Sequence, residues 1–255
     1  MSNDLAEPAG VPAVTTDALL DGRVTLRQPA TGYRVAIDPV LLAAAVPAQA
    51  GESVLDAGCG VGAAALCLAA RVDAITIDGL EVDARLVALA RENAGANRFG
   101  ERVSFHAGDL EQPPPALAPR RFDHVMTNPP HLEAGRAQAS PQADKVRAHV
   151  EGRLDLGGWL GACLGLLRPR GALTLIHRAD RLDHILAALH GRAGAIVIMP
   201  LWPKAGRAAK RVILRAVKGT GGPARLLPGL VLHENDGGYT PAAEAILRQG
   251  GALEA

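Results

Sequence analysis

From residue 53 onward, short apolar runs alternate with longer stretches in which apolar residues recur every three to four positions. The short runs have the length and β-branched content of buried strands, and the longer ones have the period of amphipathic helices. The pattern predicts strands over 53–56, 74–80, 103–106, 124–127 and 172–177, with helices over 63–71, 84–94, 154–167 and 181–190. Two further strands, 195–199 and 211–217, close the run. Strands alternating with helices predict an α/β fold, with a mostly parallel sheet, right-handed crossovers and helices on both faces. Asp78, a charge inside the second predicted strand, has no account at this level.

Upstream, residues 1–18 carry Pro8, Gly10 and Pro12 without an apolar period, which predicts a flexible lead-in. A strand pair over 23–28 and 33–37 is expected around the turn Pro29-Ala30-Thr31-Gly32, followed by a short helix over 39–46. Asp38 is the expected cap of that helix and Pro39 sits in its first turn. The expected organisation is a flexible 1–18, an amino-terminal element over 19–50, the main domain over 51–220 and a carboxyl-terminal extension over 221–255. Pro113, Pro114 and Pro115 mark one loop, and the polar stretch 133–153 is a second, long enough for a functional role such as a lid.

Composition narrows the class. The 255 residues are 48% hydrophobic and 21% charged with a formal net charge of +1, a globular profile that excludes wholesale disorder. No apolar run approaches the roughly 20 residues of a membrane span, and the first 16 residues carry acids and prolines where a secretory leader is basic and then apolar. A cytoplasmic location with no membrane partner is the expectation. Cys59, Cys67 and Cys163 show neither Cys-x-x-Cys nor Cys/His spacing, so no metal is expected and the thiols read as reduced and buried. His106, His124, His177, His184 and His190 lack ligand spacing and read as structural. Oligomeric state is not legible.

The densest chemical signal is Val54-Leu55-Asp56-Ala57-Gly58-Cys59-Gly60-Val61-Gly62, a buried strand running into alternating glycines and then a helix of small residues. Such a loop lets a ligand approach the backbone closely, and the helix amino end favours an anionic or carboxylate-bearing group. Gly58, Gly60 and Ala63 also fit G-x-G-x-x-G/A, and Glu81 lies about 20 residues on, as a dinucleotide site expects. The loop alone does not choose between cofactors. Glu81, at a strand end, can accept hydrogen bonds from both hydroxyls of a ribose; otherwise it is a solvated strand-end charge. Asp109, after Gly108, is placed to receive an adenine amino group; the alternative is a turn cap.

The deciding motif is Thr127-Asn128-Pro129-Pro130-His131 at the end of the fourth predicted strand. Two prolines remove backbone donors and fix an extended bend, leaving the Asn128 side-chain carbonyl and the Pro129 carbonyl as acceptors for one NH₂ group. A dinucleotide-dependent oxidoreductase has no use for that pair. Here the chain resembles the class I S-adenosylmethionine-dependent methyltransferases with an Asn-Pro-Pro-aromatic motif, and among them the tRNA1(Val) adenine-N6 methyltransferase family. The likeness spans roughly residues 19–245: Gln28-Pro29, Gly32-Tyr33-Arg34, Asp38 and Leu41-Leu42, the glycine loop, the Asn-Pro-Pro motif, then Pro200, Pro203, Gly206, Lys210-Arg211, His233-Glu234 and Tyr239-Thr240.

The resemblance implies a Rossmann-like seven-stranded methyltransferase sheet and methyl transfer from S-adenosylmethionine to the exocyclic N6 of an adenosine in tRNA. It implies Asp56, Gly58, Gly60 and Gly62 on the methionine side of the cofactor, Glu81 on its ribose and Asp109 on its adenine. Asp38 and Leu41 would pack over the cofactor, while Asn128, with Pro129, Pro130 and His131, would meet the target amine. His131 stands where the family has an aromatic ring for stacking on the base. Related readings are a guanine-N2 or protein-glutamine methyltransferase, and a non-catalytic RNA-binding homologue. From Pro200 to Gly229 there is no acid, while Lys204, Arg207, Lys210, Arg211, Arg215, Lys218 and Arg225 are basic, a candidate phosphate-contacting surface for tRNA. Trp202 among them either stacks on a base or, more simply, ties its strand down.

Overall fold

The computed structural model describes residues 13–32, 34–130 and 154–253. An antiparallel hairpin of β1 (Val14–Leu19) and β2 (Val24–Pro29) leads into helix α1 (Asp38–Ala45). Then follow β3 (Ser53–Ala57), α2 (Ala63–Arg71), β4 (Thr76–Glu81), α3 (Ala84–Ala96), β5 (Val103–Ala107), β6 (Phe122–Thr127), α4 (Leu156–Leu166) and β7 (Leu167–Arg178). A 3₁₀ turn (Ala179–Arg181) and α5 (Leu182–Leu189) precede the long strands β8 (Ala193–Lys204) and β9 (Arg211–Lys218). The short strands β10 (Arg225–Leu226) and β11 (Leu230–His233) and helix α6 (Pro241–Leu247) complete the chain.

The seven expected strands lie in the order β8-β9-β7-β6-β3-β4-β5, all parallel except β9, and β10 and β11 add to the outer side of β8. One face is covered by α1, α2, α3 and α6, with Leu41, Leu42, Leu66, Leu68, Ile246 and Leu247 in its core. The other is covered by α4 and α5, with Leu160, Cys163, Ile185 and Leu189. Burial of both faces explains why the parallel strands read as continuous apolar runs. The segment 221–253 shares its core with α1: Leu253 donates its amide to the Ala44 carbonyl, and α6 packs beside α1.

Three local expectations change. The hairpin sits one strand earlier than expected, so residues 14–18, expected in a flexible lead-in, pair with β2 instead, and residues 34–37 form no strand. Its turn is made by Leu20, Asp21 and Gly22, all at positive φ. Gln28, 1% exposed, holds that arrangement: it donates to Asp17 Oδ2 at 2.7 Å and accepts from the Val35 amide at 2.8 Å. Asp38 does not cap α1; the cap position is Ile37, without a side-chain bond, because the Asp38 carboxylate is turned to Arg211. Asp78 has an explanation: His106 at 2.8 Å and Arg120 at 2.7 Å pair with its buried carboxylate across β4, β5 and the loop before β6.

Candidate active site at the carboxyl edge of the sheet

In a parallel sheet of this kind ligands bind outside the carboxyl ends of the strands, where the order reverses. Here the reversal falls between β3, which continues toward β4, and its other neighbour β6. The glycine loop and Asn128 are the continuations of those two strands, whose last residues, Ala57 and Thr127, are register partners.

The loop after β3 is held by backbone bonds from the Gly58 and Cys59 amides to the Leu80 carbonyl, at 2.9 and 3.1 Å. Gly58, Gly60 and Gly62 have φ of 75°, 55° and 86°, the left-handed region that side chains disfavour. At Gly62 a Cβ would lie 2.5 Å from Phe105 Cζ, and at Gly79 it would lie 2.3 Å from the same ring. Phe105 of β5 is therefore wedged between the loop and β4, and Gly79 is needed for it. Sequence reasoning passed over Gly79, although a glycine inside a strand signals close approach.

Glu81 closes the loop from the other side. Its Oε2 accepts from the Gly60 amide and its Oε1 from the Asp83 amide, both at 3.0 Å, and burial raises its carboxyl above the usual range. One amide bond per oxygen leaves further acceptor capacity on the carboxylate. Asp56 is 2% exposed, accepts from the Ala65 amide in the first turn of α2 at 3.2 Å, and is pushed up to about 7 by burial. Cys59 is buried, and burial pushes its thiol up. Asp109 accepts the Glu111 amide at 2.8 Å, the turn cap that was the alternative to an adenine contact.

Asn93 braces the loop from beneath. Fully buried on α3, its side chain accepts from the Arg27 amide and donates to the carbonyls of Arg27 and Val61, at 2.8, 2.9 and 3.0 Å. One turn on, Asn97 makes the matching pair with the amide and carbonyl of Thr25. The two side chains thus bind alternate residues of β2 as a neighbouring strand would, and fasten the hairpin to the glycine loop.

On the β6 side, the Thr127 hydroxyl donates to the Ala57 carbonyl at 2.8 Å and accepts from Trp159 Nε1 at 3.0 Å. The Trp159 ring lies against the loop, since a Cβ on Gly58 would sit 3.0 Å from its Cζ2. Next in the chain is Asn128, half-buried, whose side chain makes no hydrogen bond among the described residues. Pro129 is buried and Pro130 half-buried. His131 and the 133–153 segment, with Tyr33, lie outside the described residues.

A family model described as "Methyltransferase small domain" matches residues 34–163. A tRNA1(Val) (adenine(37)-N6)-methyltransferase of Aeromonas hydrophila is 34% identical over 214 residues, 81% of this chain and 85% of its own length. The chain belongs to that methyltransferase family. A relative of the same name from Porphyromonas gingivalis is 32% identical over 67% of this chain and 68% of its own. Among solved structures, a predicted O-methyltransferase of Agrobacterium tumefaciens superposes with a TM-score of 0.70 at 23% identity, over 86% of this chain and 99% of its own. An O-methyltransferase of Thermotoga maritima gives 0.52 at 16% identity, over 74% and 67%. These two likenesses carry the class I methyltransferase fold. The enzyme is an S-adenosylmethionine-dependent methyltransferase, and its glycine cradle, strand-end Glu81 and buried Asp56 suit that cofactor in donor and acceptor character.

The basic residues divide. Because β8 runs parallel to β7 and β9 returns, the β8–β9 turn projects from the same carboxyl edge as Asn128. Arg207 and Lys210 lie in that turn, neither with an ion pair among the described residues. Lys204 donates to the Asn235 carbonyl and Arg211 is bonded to Asp38 at 3.0 Å. Arg215 is four residues down β9, opposite Thr174, and Lys218 reaches the amino edge, where it donates to the Leu167 carbonyl. The basic run is thus not one surface. No helix among the described residues is long and apolar enough to cross a membrane.

Proposed function

We propose that this enzyme methylates the exocyclic N6 of an adenine in tRNA, the reaction named for its Aeromonas and Porphyromonas relatives. The observation that carries the reading is Asn128: a half-buried amide with no partner among the described residues, at the strand end that faces the glycine loop. S-adenosylmethionine supplies an electrophilic methyl group on a sulfonium. Asp56, Gly58, Gly60 and Gly62 hold its methionine side, Glu81 its ribose and Asp109 its adenine. Asp38 supports the site by fixing the start of α1 to Arg211.

The amino nitrogen of adenine is a poor nucleophile because its lone pair is delocalised into the ring. The Asn128 side-chain oxygen and the Pro129 carbonyl accept its two N–H bonds, favouring a pyramidal nitrogen whose lone pair can form the new C–N bond. Orientation supplies much of the remaining acceleration. The target base is taken out of its stack, which is cheap in a loop, and His131 is its stacking partner. Arg207, Lys210, Lys204 and Arg211 around the β8–β9 turn meet the RNA backbone, and Arg215 lies behind them. A tRNA substrate implies work in the cytoplasm.

The test is methylation of unmodified total tRNA with methyl-labelled cofactor, followed by nucleoside analysis. Labelled N6-methyladenosine is expected. Label in N2-methylguanosine redirects the reading to a guanine amine, label in glutamine when protein is offered in a parallel reaction redirects it to an amide, and cofactor binding with no transfer to either identifies a non-catalytic homologue.

A further inference from the structure

The β8–β9 turn carries a feature that phosphate binding does not use. Trp202, near the end of β8, is half-buried and forms one wall of an open groove with Ala205, Gly206, Arg207, Ala208 and Val231. Its only polar atom is already committed: Nε1 donates to the Pro228 carbonyl at 2.9 Å. The indole edge is therefore fixed, and what it offers the groove is an aromatic surface. The other lining residues are small, apart from Arg207 and Val231, so the groove admits a flat group. On its β8–β9 side the groove is cationic, while the exposed acids Glu234 and Asp236 lie in the turn after β11, on the far side of Lys204. Arg207 and Lys210 are unpaired among the described residues, and no acid occurs between Pro200 and Gly229.

An aromatic surface flanked by unpaired cations is the combination that binds single-stranded nucleic acid: the ring stacks on a base and the cations meet the phosphates. An acidic peptide or an anionic lipid would meet the cations but offers no planar base to the indole face. The position is also apt. β8 lies three strand spacings from β6, roughly 14 Å across the sheet, too far for the base that reaches Asn128 but within a few nucleotides of it.

We infer that Trp202 stacks on an unpaired base of the tRNA, a nucleotide other than the one methylated, while Arg207 and Lys210 hold its phosphates. This rests on the tRNA reading and adds to it a second base-binding subsite. The subsite grips single-stranded RNA without choosing among bases, because every base offers a π face.

The test uses the full chain, Trp202→Phe and Trp202→Ala. Phenylalanine keeps a ring but cannot donate to Pro228, whereas alanine loses both. Stacking predicts that Trp202→Ala weakens tRNA binding about tenfold, that Trp202→Phe stays within about twofold of the parent, and that S-adenosylmethionine affinity is equal in all three. If phenylalanine binds as poorly as alanine, Trp202 only ties β8 to Pro228 and the inference fails; equal binding by all three overturns it as well. A second measurement does not depend on catalysis. A single-stranded hexaribonucleotide should quench tryptophan emission more in the parent than in Trp202→Phe, whose remaining Trp159 reports only the glycine-loop side, and an abasic hexamer of equal charge should not produce that difference. Equal quenching in the parent and in Trp202→Phe, or a Trp202-dependent part that the abasic oligomer produces as well, overturns the subsite. Failure of the tRNA reading is seen separately, as absence of N6-methyladenosine in the parent's products.

Discussion

The indole nitrogen of Trp159 donates to the Thr127 hydroxyl at 3.0 Å, and that hydroxyl donates in turn to the Ala57 carbonyl. One helix is thereby bolted to the ends of the two strands that lead into Asn128 and the glycine loop. Thr127→Val keeps the shape but strands a buried N–H and a buried C=O, at a cost of about 1 to 3 kcal/mol. Methyl transfer should fall more than cofactor affinity, since Asn128 is the next residue, and Thr127→Ser should restore it. Thermal melts and a kcat-against-KM comparison check both. A valine variant with parental kcat would detach the bond from catalysis.

Asn128→Ala should leave S-adenosylmethionine affinity within about twofold while transfer falls about a hundredfold, the scale for losing one group aligned on a transition state. Calorimetry for the cofactor and a single-turnover assay for the tRNA separate the two. Substantial residual transfer would take Asn128 out of the chemistry.

For Glu81 the structure adds a second job to the expected one, because its oxygens also hold the amides of Gly60 and Asp83. Glu81→Ala should weaken cofactor binding by about tenfold or more through loss of charged hydrogen bonds. Glu81→Gln, which keeps one acceptor oxygen, should fall between alanine and the parent. If all three bind alike, neither the ribose nor the loop depends on this carboxylate.

Asp56 gives a pH-dependent test. Its folded-state carboxyl, pushed up to about 7 by burial, binds its proton more tightly than in the unfolded chain, where the ordinary value is near 4. The stability so gained is complete below about pH 4 and is lost as pH rises through about 7, an effect of roughly 3 to 4 kcal/mol. Asp56→Asn still accepts from the Ala65 amide but does not titrate. Relative to the parent, the cofactor-free variant should therefore gain melting temperature between pH 5 and pH 8. A difference that does not change with pH would show that Asp56 ionises at its ordinary value.

The candidate site is legible where a local pattern encodes it. The glycine loop, the strand-end Glu81 and the Asn-Pro-Pro bend are each contiguous, and the alternation of strands and helices fixed which edge they share. What escaped depends on partners distant in sequence. Asp78 finds His106 28 residues on, and Asp38 finds Arg211 173 residues on, which diverts it from capping its own helix. β1 was missed because Pro8, Gly10 and Pro12 weakened its apolar signal, while its pairing is sealed by Gln28 and Arg34. Helix α6 did carry a local sign, Thr240 capping ahead of Pro241.

The basic segment is where charge counting and structure diverge most, and salt dependence measures the difference. Each phosphate contact on single-stranded nucleic acid contributes about 0.7 to the slope of log affinity against log salt, and about 0.9 on a duplex. Arg207 and Lys210 lie in the β8–β9 turn at the carboxyl edge of the sheet, whereas Arg215 is roughly 13 Å down β9 from Arg211 and half-buried. Replacing Arg207 and Lys210 by alanine together should lower the slope for tRNA by about 1.5 and weaken binding at low salt, with cofactor affinity unchanged. Arg215→Ala should keep the parental slope. Arg211→Ala should behave differently from either: it frees the Asp38 carboxylate at the start of α1, so it should affect cofactor affinity as well as RNA binding. An Arg215 variant that loses slope while the Arg207 and Lys210 pair does not would move the RNA path off the turn and onto the face of β9.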